Sequence, residues 1–241
     1  MTDRRVALVV GAGDGLGSAI ARKFATQGYH VVATRRRGDL QNLVAEINAA
    51  GGSAESRHSD ARDEDSVQDL VASVESGVGP IEVCIFNVGG NVRFPLQQTT
   101  TRVYRKVWEM CALAGFLVGR EVVGPMLNRE HGTILFTGAT ASLRGSEDFA
   151  AFSGGKQALR ALAQSMAREF GPKGIHVAHV IVDGVIDNPN TRELFPAAFE
   201  NRTEDGIICP DELAQIYFDL HCQPRTAWTF ELDVRPYNES F

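Results

Sequence analysis

Five apolar residues, Val6-Ala7-Leu8-Val9-Val10, run directly into Gly11-Ala12-Gly13-Asp14-Gly15-Leu16-Gly17 and then into a helical pattern from Leu16 to Gln27. Within that pattern Ile20, Phe24 and the neighbouring alanines recur at helical spacing. The segment therefore reads as strand, glycine turn and helix. A turn of this kind gathers backbone N–H groups and the positive end of a helix dipole at one point, where a pyrophosphate can sit. Glycine suits it because a Cβ would obstruct the approach. A glycine-rich turn can also be purely structural, so its weight comes from the βαβ unit around it.

That unit repeats. Strand Tyr29 to Ala33 precedes helix Leu40 to Ala50, strand Ala54 to His58 precedes helix Asp63 to Ser76, and strand Ile81 to Phe86 follows. A long helix from about Arg102 to Leu127 leads to strand Thr133 to Phe136. Helix Phe152 to Phe170, stopped by Gly171-Pro172, then precedes strand His176 to Val182. Most of these strands are continuous apolar runs, as strands covered on both faces should be. The pattern predicts an open, parallel α/β sheet with helices on both faces. Trp228 to Val234 alternates apolar and polar residues, which predicts an edge strand. Residues 187–209 carry Pro189, Pro196 and the apolar set Leu194, Phe195 and Phe199 among polar residues. They read as a long loop able to act as a substrate-covering lid. No linker or repeat divides residues 1–241, so one domain is expected.

Composition narrows the partners. Of the 241 residues 44% are hydrophobic and 22% charged, which permits a sizeable core and excludes disorder and coiled coil. The net charge of −6 offers no broad positive field to nucleic acid or an anionic membrane. The longest apolar stretch, Val107 to Met126, is interrupted by Glu109, Arg120 and Glu121, so no membrane span is expected. Cys84, Cys111, Cys209 and Cys222 show no CxxC spacing, and no group has metal-ligand spacing. Reduced thiols and a cytoplasmic location follow as expectations.

The end of the second strand bears on ligand choice. An acidic residue there would hold ribose hydroxyls and repel a 2′-phosphate, whereas this chain has Thr34-Arg35-Arg36-Arg37. Guanidinium groups grip a phosphate bidentately, so NADP is favoured over NAD. The bland alternative is a solvated charge run at a helix start.

With these motifs in order, the whole chain resembles the short-chain dehydrogenase/reductase family. Gly11, Gly15 and Gly17 match its glycine pattern, although Val10 stands where a threonine is usual. Asp60, followed by Ala61, matches the aspartate that contacts adenine, and Asn87-Val88-Gly89 resembles the Asn-Ala-Gly turn. Lys156 matches the catalytic lysine. Asp183-Gly184-Val185-Ile186-Asp187-Asn188 resembles the Pro-Gly-x-Ile-x-Thr loop that holds the nicotinamide amide, which implies roles for Gly184, Ile186 and Asn188. The resemblance implies a Rossmann-like, doubly wound sheet of about seven strands. It also implies oxidoreduction of a carbonyl or alcohol, and a homodimer or homotetramer built on the two long helices.

The resemblance fails at the acid/base positions. Phe152 stands four residues before Lys156, where the family has tyrosine; Ala139 takes the serine position and Cys111 the asparagine position. Phenylalanine has no ionisable group and alanine cannot hydrogen-bond a carbonyl, so proton transfer from residue 152 is excluded. Thr140, Ser142, Glu147, Asp148 and Ser153 are the available substitutes, each also readable as a loop or capping residue. His30, His58, His131, His176 and His221 fall outside the expected pocket. Lys156 can still bond a ribose or meet developing negative charge. An apolar pocket of Phe94, Phe152, Leu194, Phe195 and Phe199 is expected for the small-molecule substrate. Three functions remain open: an NADP-dependent oxidoreductase with a non-standard site, a cofactor-binding or regulatory protein without chemistry, and a non-redox isomerase or lyase.

Overall fold

The computed structural model describes residues 4–194, 196–201 and 204–239. Its centre is a seven-stranded, wholly parallel sheet ordered β3-β2-β1-β4-β5-β6-β7. The strands are β1 (Val6–Val10), β2 (His30–Arg35), β3 (Ser53–His58), β4 (Ile81–Phe86), β5 (Gly132–Thr137), β6 (Ile175–Val182) and β7 (Glu231–Val234). The order runs outward from β1 in one direction and from β4 in the other. Their paired C-terminal ends therefore open a crevice at the point of reversal, where α/β sheets take ligands.

Alternate residues of each strand enter two separate cores. Ala7, Val9, Val31, Ala33, Ile85, Leu135 and Val180 face α1 (Leu16–Thr26), α2 (Gln41–Ala49) and α9 (Pro210–His221). Val6, Leu8, Val10, Val32, Phe86, Ile134 and Phe136 face α3 (Glu64–Gly77), α5 (Ala114–Arg129) and α6 (Ala150–Phe170). Apolar residues at consecutive strand positions are thus required by two covered faces.

The long helix expected from Arg102 to Leu127 is α4 (Thr101–Trp108) joined to α5 through a π-helical turn at Glu109–Leu113. Cys111 lies in that turn, fully buried. Facing it, Gly154 and Gly155 of α6 remove two side chains. A Cβ on Gly154 would stand 2.7 Å from the Tyr104 hydroxyl, and one on Gly155 would stand 2.9 Å from the Cys111 Cβ. Two helix-interior glycines cost about 1 kcal/mol each, which the close helix approach offsets. Thr101–Arg129 is long and apolar enough to cross a membrane by length and composition. Here it lies across the sheet with Val107, Ala114, Leu117, Val118, Val122 and Met126 buried.

Two expectations are corrected, and one helix joins the expected elements. Residues 187–209 are helical in part, as α7 (Pro189–Leu194), α8 (Pro196–Asn201) and a 3-10 turn at Glu204–Gly206. Their base is stitched by Asp187 N–H to the Ile208 carbonyl (2.9 Å) and Ile208 N–H to the Val185 carbonyl (2.9 Å). Helix α9 was not anticipated at all. Each of α7, α8 and α9 begins on a proline, which fits the first helical turn because its missing N–H has no partner there anyway. Finally β7 begins only at Glu231, because Trp228 and Thr229 curl around Gln223: the Trp228 indole N–H donates to the Gln223 carbonyl (3.2 Å) and Thr229 N–H to its Oε1 (2.7 Å).

The α5–α6 contact yields a test. A Cβ on Gly115 would stand 2.4 Å from Leu159 Cδ1 in a core where Leu159 is fully buried. Gly115→Ala should destabilise by about 1–3 kcal/mol and Leu159→Ala by about 2–5 kcal/mol. In urea unfolding the double variant should cost less than the sum, because the smaller residue accepts the new methyl.

Candidate functional site

The β1–α1 turn is closed by backbone contacts that leave no room for side chains. Gly11 N–H and Ala12 N–H both donate to the Thr34 carbonyl, at 3.1 and 2.9 Å. Gly11 has φ +92°, and a Cβ on it would stand 2.9 Å from the Asn87 carbonyl oxygen. On Gly17 a Cβ would meet the Gly11 carbonyl oxygen at 2.4 Å. Gly13 differs, with no atom within 4 Å of its would-be Cβ. It faces open space in the crevice, the cradle a phosphate group would fill. Helix α1 opens there on Gly15, without a side-chain cap and without an acidic residue in its first turn, so its positive end is uncompensated from within.

Two adjoining cavities share this turn. The larger, about 620 Å³, is lined by Gly11, Gly13, Asp14, Gly15, Leu16, Gly17, Asn87, Gly89, Ala139, Thr140, Phe152, Ser153, Lys156, Gly184, Ile186 and Asn188. The smaller, about 280 Å³, is lined by Thr34, Arg35, Arg36, Arg37, Asp60, Ala61, Arg62 and Val88 together with Gly11, Gly13, Asn87 and Gly89. All the residues expected at a dinucleotide thus lie along one continuous surface. Thr34 contributes its carbonyl to the turn, while its side chain is buried.

The smaller cavity is rich in guanidinium groups. Arg35 lies 3.4 Å from Asp14 Oδ1 and donates to the Asp39 carbonyl at 3.3 Å, two long contacts at the rim. Both oxygens of Asp60 are occupied by Arg62, through Nε (2.9 Å) and NH2 (2.5 Å). That pairing holds the Asp60 carboxyl below its ordinary range. Arg62 escaped the sequence reading, although its place two residues after Asp60 was the available signal.

Lys156 sits in the larger cavity, only 3% exposed. Its Nζ donates to the Thr137 carbonyl (2.7 Å) and the Val88 carbonyl (3.4 Å), and lies 5.9 Å from the centre of the Phe152 ring. Burial pushes its pKa down. Among the polar substitutes, Thr140 and Ser153 line the cavity. Ser142 is buried beneath it, its Oγ accepting from Ala139 N–H (3.1 Å). Glu147 is exposed and Asp148 pairs with Arg93 (3.2 Å), so neither belongs to the cavity wall. Cys111 is packed behind Gly155.

The expected aromatic pocket is corrected. Phe94 is 41% exposed and Phe199 lies under Arg192, 5.0 Å from its guanidinium; neither lines the cavity. Phe195 falls outside the described residues. Phe149 joins Phe152 instead, with Asn91, Ser146, Asn190 and Thr191, so the outer wall is more polar than expected. The sixth histidine, His179 of β6, is fully buried against Gly138, a cavity-lining residue. Its Nδ1 lies 3.0 Å from Glu231, and burial pushes its pKa down to about 4. It is neutral near pH 7.

A parallel sheet that reverses beside a glycine turn, with an uncompensated helix end and a buried lysine in one crevice, is the architecture of the dinucleotide-binding α/β proteins. The chain belongs to the short chain dehydrogenase family, whose pattern matches residues 5–198. A solved short-chain dehydrogenase from Rhodopseudomonas palustris is 49% identical, with a TM-score of 0.83 over 97% of this chain and 99% of that one. A metagenomic short-chain oxidoreductase solved with NADP is 27% identical, with a TM-score of 0.82 over 96% and 97% of the two chains. An uncharacterised oxidoreductase of Bacillus subtilis is 30% identical over 219 residues, 89% of this chain. This chain spans only 31% of that relative's length.

The two kinds of glycine separate experimentally. Gly17→Ala forces a methyl onto a backbone oxygen and should lower stability by at least about 1–3 kcal/mol. Gly13→Ala meets none of the described residues and should leave thermal and urea unfolding unchanged.

Proposed function

We propose that the protein binds NADP(H) along the crevice and acts as an oxidoreductase on an alcohol/carbonyl pair, with no proton exchanged at residue 152. The observation that carries this reading is the continuous surface from the arginines of the smaller cavity, past the open Gly13 cradle, to buried Lys156. The amides of the Gly13–Gly17 turn and the α1 terminus would hold the pyrophosphate. Arg35 and Arg36 would hold a 2′-phosphate, with no acidic side chain among the residues from Thr34 to Arg37 to oppose it. Asp60, Ala61 and Arg62 would border the adenine, and Gly184, Ile186 and Asn188 the nicotinamide end. The nicotinamide supplies the hydride acceptor or donor when bound.

Lys156 would bond the ribose and offer positive charge toward a developing alkoxide. Its buried, carbonyl-anchored ammonium is preorganised for that, since little water needs to rearrange. Phe152 and Ala139 would shape the pocket without exchanging protons. The same two residues favour a second reading, a cofactor-binding protein without turnover; consumption of NADPH or reduction of NADP across a carbonyl and alcohol panel separates the two. The substrate is expected to be small and uncharged, because Asp14 and Lys156 are the only ionisable groups among the described residues lining the larger cavity. Tyr104, Trp108 and Phe116 leave apolar surface open on α4 and α5, which supports a homodimer or homotetramer. Four free thiols support a reducing, cytoplasmic setting.

Calorimetric titration checks the cofactor choice. NADPH should bind at least about tenfold more tightly than NADH, a difference of ~1.4 kcal/mol. Arg35→Asp should erase that preference, and Gly13→Ala should weaken both cofactors at unchanged stability. Equal affinities in the unmodified protein would overturn the 2′-phosphate site.

A further inference from the structure

Behind Thr140, which lines the same cavity as Lys156, stands a carboxylate that the proposed chemistry does not yet use. Asp183 directly follows β6 and is 3% exposed. Its Oδ1 accepts a hydrogen bond from Thr140 Oγ1. Its Oδ2 lies 3.2 Å from Arg235 and 3.9 Å from Arg144. The backbone is fixed as well, since Asp183 N–H donates to the Val234 carbonyl at 2.8 Å. Thr140 lines the larger cavity one residue after Ala139. A buried carboxylate therefore stands directly behind the hydroxyl of a residue that lines the cavity.

The direction of that hydrogen bond decides what the hydroxyl can do. Threonine has one proton and two lone pairs, and an ionised carboxylate only accepts. Thr140 therefore gives its proton to Asp183 and keeps lone pairs for a group in the cavity. A ketone has no proton to offer them; an alcohol has one. The other hydroxyls are placed differently. Ser142, whose Oγ accepts from Ala139 N–H, does not line the cavity, and the buried Ser153 hydroxyl has no hydrogen-bond partner among the described residues to take a proton. Lys156 spends N–H groups on two carbonyls.

We infer that Thr140, backed by Asp183, is the general base for oxidation of an alcohol substrate, in the oxidoreductase reading on which this rests. As the carbinol C–H bond breaks, its hydride leaves for the oxidised nicotinamide cofactor. The hydroxyl proton passes to Thr140 Oγ1 while the proton of Thr140 passes to Asp183 Oδ1. The products are a carbonyl compound, reduced cofactor and a protonated carboxyl. The proton then leaves on the side of Arg144, whose side chain is 46% exposed. Reduction runs the same path backwards, with Asp183 supplying the proton through Thr140.

The test uses the NADP-loaded protein and the secondary alcohols it oxidises. Thr140→Val removes the hydroxyl at nearly constant shape and should cut kcat by about 10²–10⁴. Thr140→Ser should retain most of it. Asp183→Asn, whose amide can donate to Thr140 and so reverse the bond, should fall as Thr140→Val does. NADPH affinity by calorimetry should stay within about twofold in Thr140→Val, which reports an intact cofactor site. A second measurement needs no turnover. A tertiary analogue of the substrate cannot lose hydride, yet it carries the same hydroxyl, and its affinity for the NADP-loaded protein should fall at least about tenfold in Thr140→Val and recover in Thr140→Ser. Wild-type turnover and tertiary-alcohol binding that both survive Thr140→Val would overturn Thr140 as the base while leaving the oxidoreductase reading in place. Full activity in Asp183→Asn would overturn the carboxylate's part. Absence of turnover in the wild-type protein on every alcohol and carbonyl tried would overturn the oxidoreductase reading itself, and this inference with it.

Discussion

The crevice depends on one carbonyl. Thr34 at the end of β2 accepts two consecutive amides, from Gly11 and Ala12, and this draws the chain leaving β1 sideways across its neighbour. Everything on that side follows from the bend. The Asn87 side chain at the end of β4 reaches the Gly11 carbonyl at 3.1 Å, and Ser18 in the first turn of α1 closes back on the Gly13 carbonyl. The turn thus joins β2, β1, β4 and α1 at the point of sheet reversal, and only residues without Cβ fit its two tightest positions, Gly11 and Gly17. Gly13 remains facing open space because the bend has already met its internal contacts elsewhere.

On the other side of the crevice, helix α6 sets the position of Lys156. Gly154 and Gly155 let the helix approach α4 and the π turn closely, and Leu159 and Ala163 anchor it on the sheet. A lysine so buried would be costly if unpaired, and the Thr137 and Val88 carbonyls partly replace its water. Those carbonyls belong to the ends of β5 and the segment after β4. The lysine therefore reports the same register that the glycine turn fixes from the opposite side.

Much of this was legible in the chain itself. Continuous apolar runs located β1 and β4 to the residue, and the other central strands to within about two residues, because strands covered on both faces leave no polar positions to blur them. The glycine turn and the arginines after Thr34 were readable because they are contiguous. What escaped depends on contacts far apart in sequence. The π turn at Cys111 answers to Gly155, and the His179 environment to Glu231 of β7. Between residues 187 and 209 the prolines suggest a loop, although Pro189 and Pro196 each open a helix, as Pro210 does just beyond that segment. Phe94 and Phe199 were assigned to the pocket on chemistry alone, and the fold turns both elsewhere.

Position 183 shows why a site on this sheet extends to the end of the chain. A carboxylate there is nearly as buried as Lys156, and burying an unpaired charge is unfavourable. Arg235 immediately follows β7, pairs with both Asp183 and Asp233, and brings the partner charge. Pro236 then packs over Gly184, where a Cβ would stand 2.8 Å from the proline ring. Shortening β7 would displace Arg235, leave Asp183 without its nearest cation and loosen Gly184 together. The edge strand, which adds little to either core, is therefore coupled to the crevice by three contacts within a few residues: the Asp183 N–H to Val234 carbonyl bond, the Arg235–Asp183 ion pair and the packing of Pro236 over Gly184.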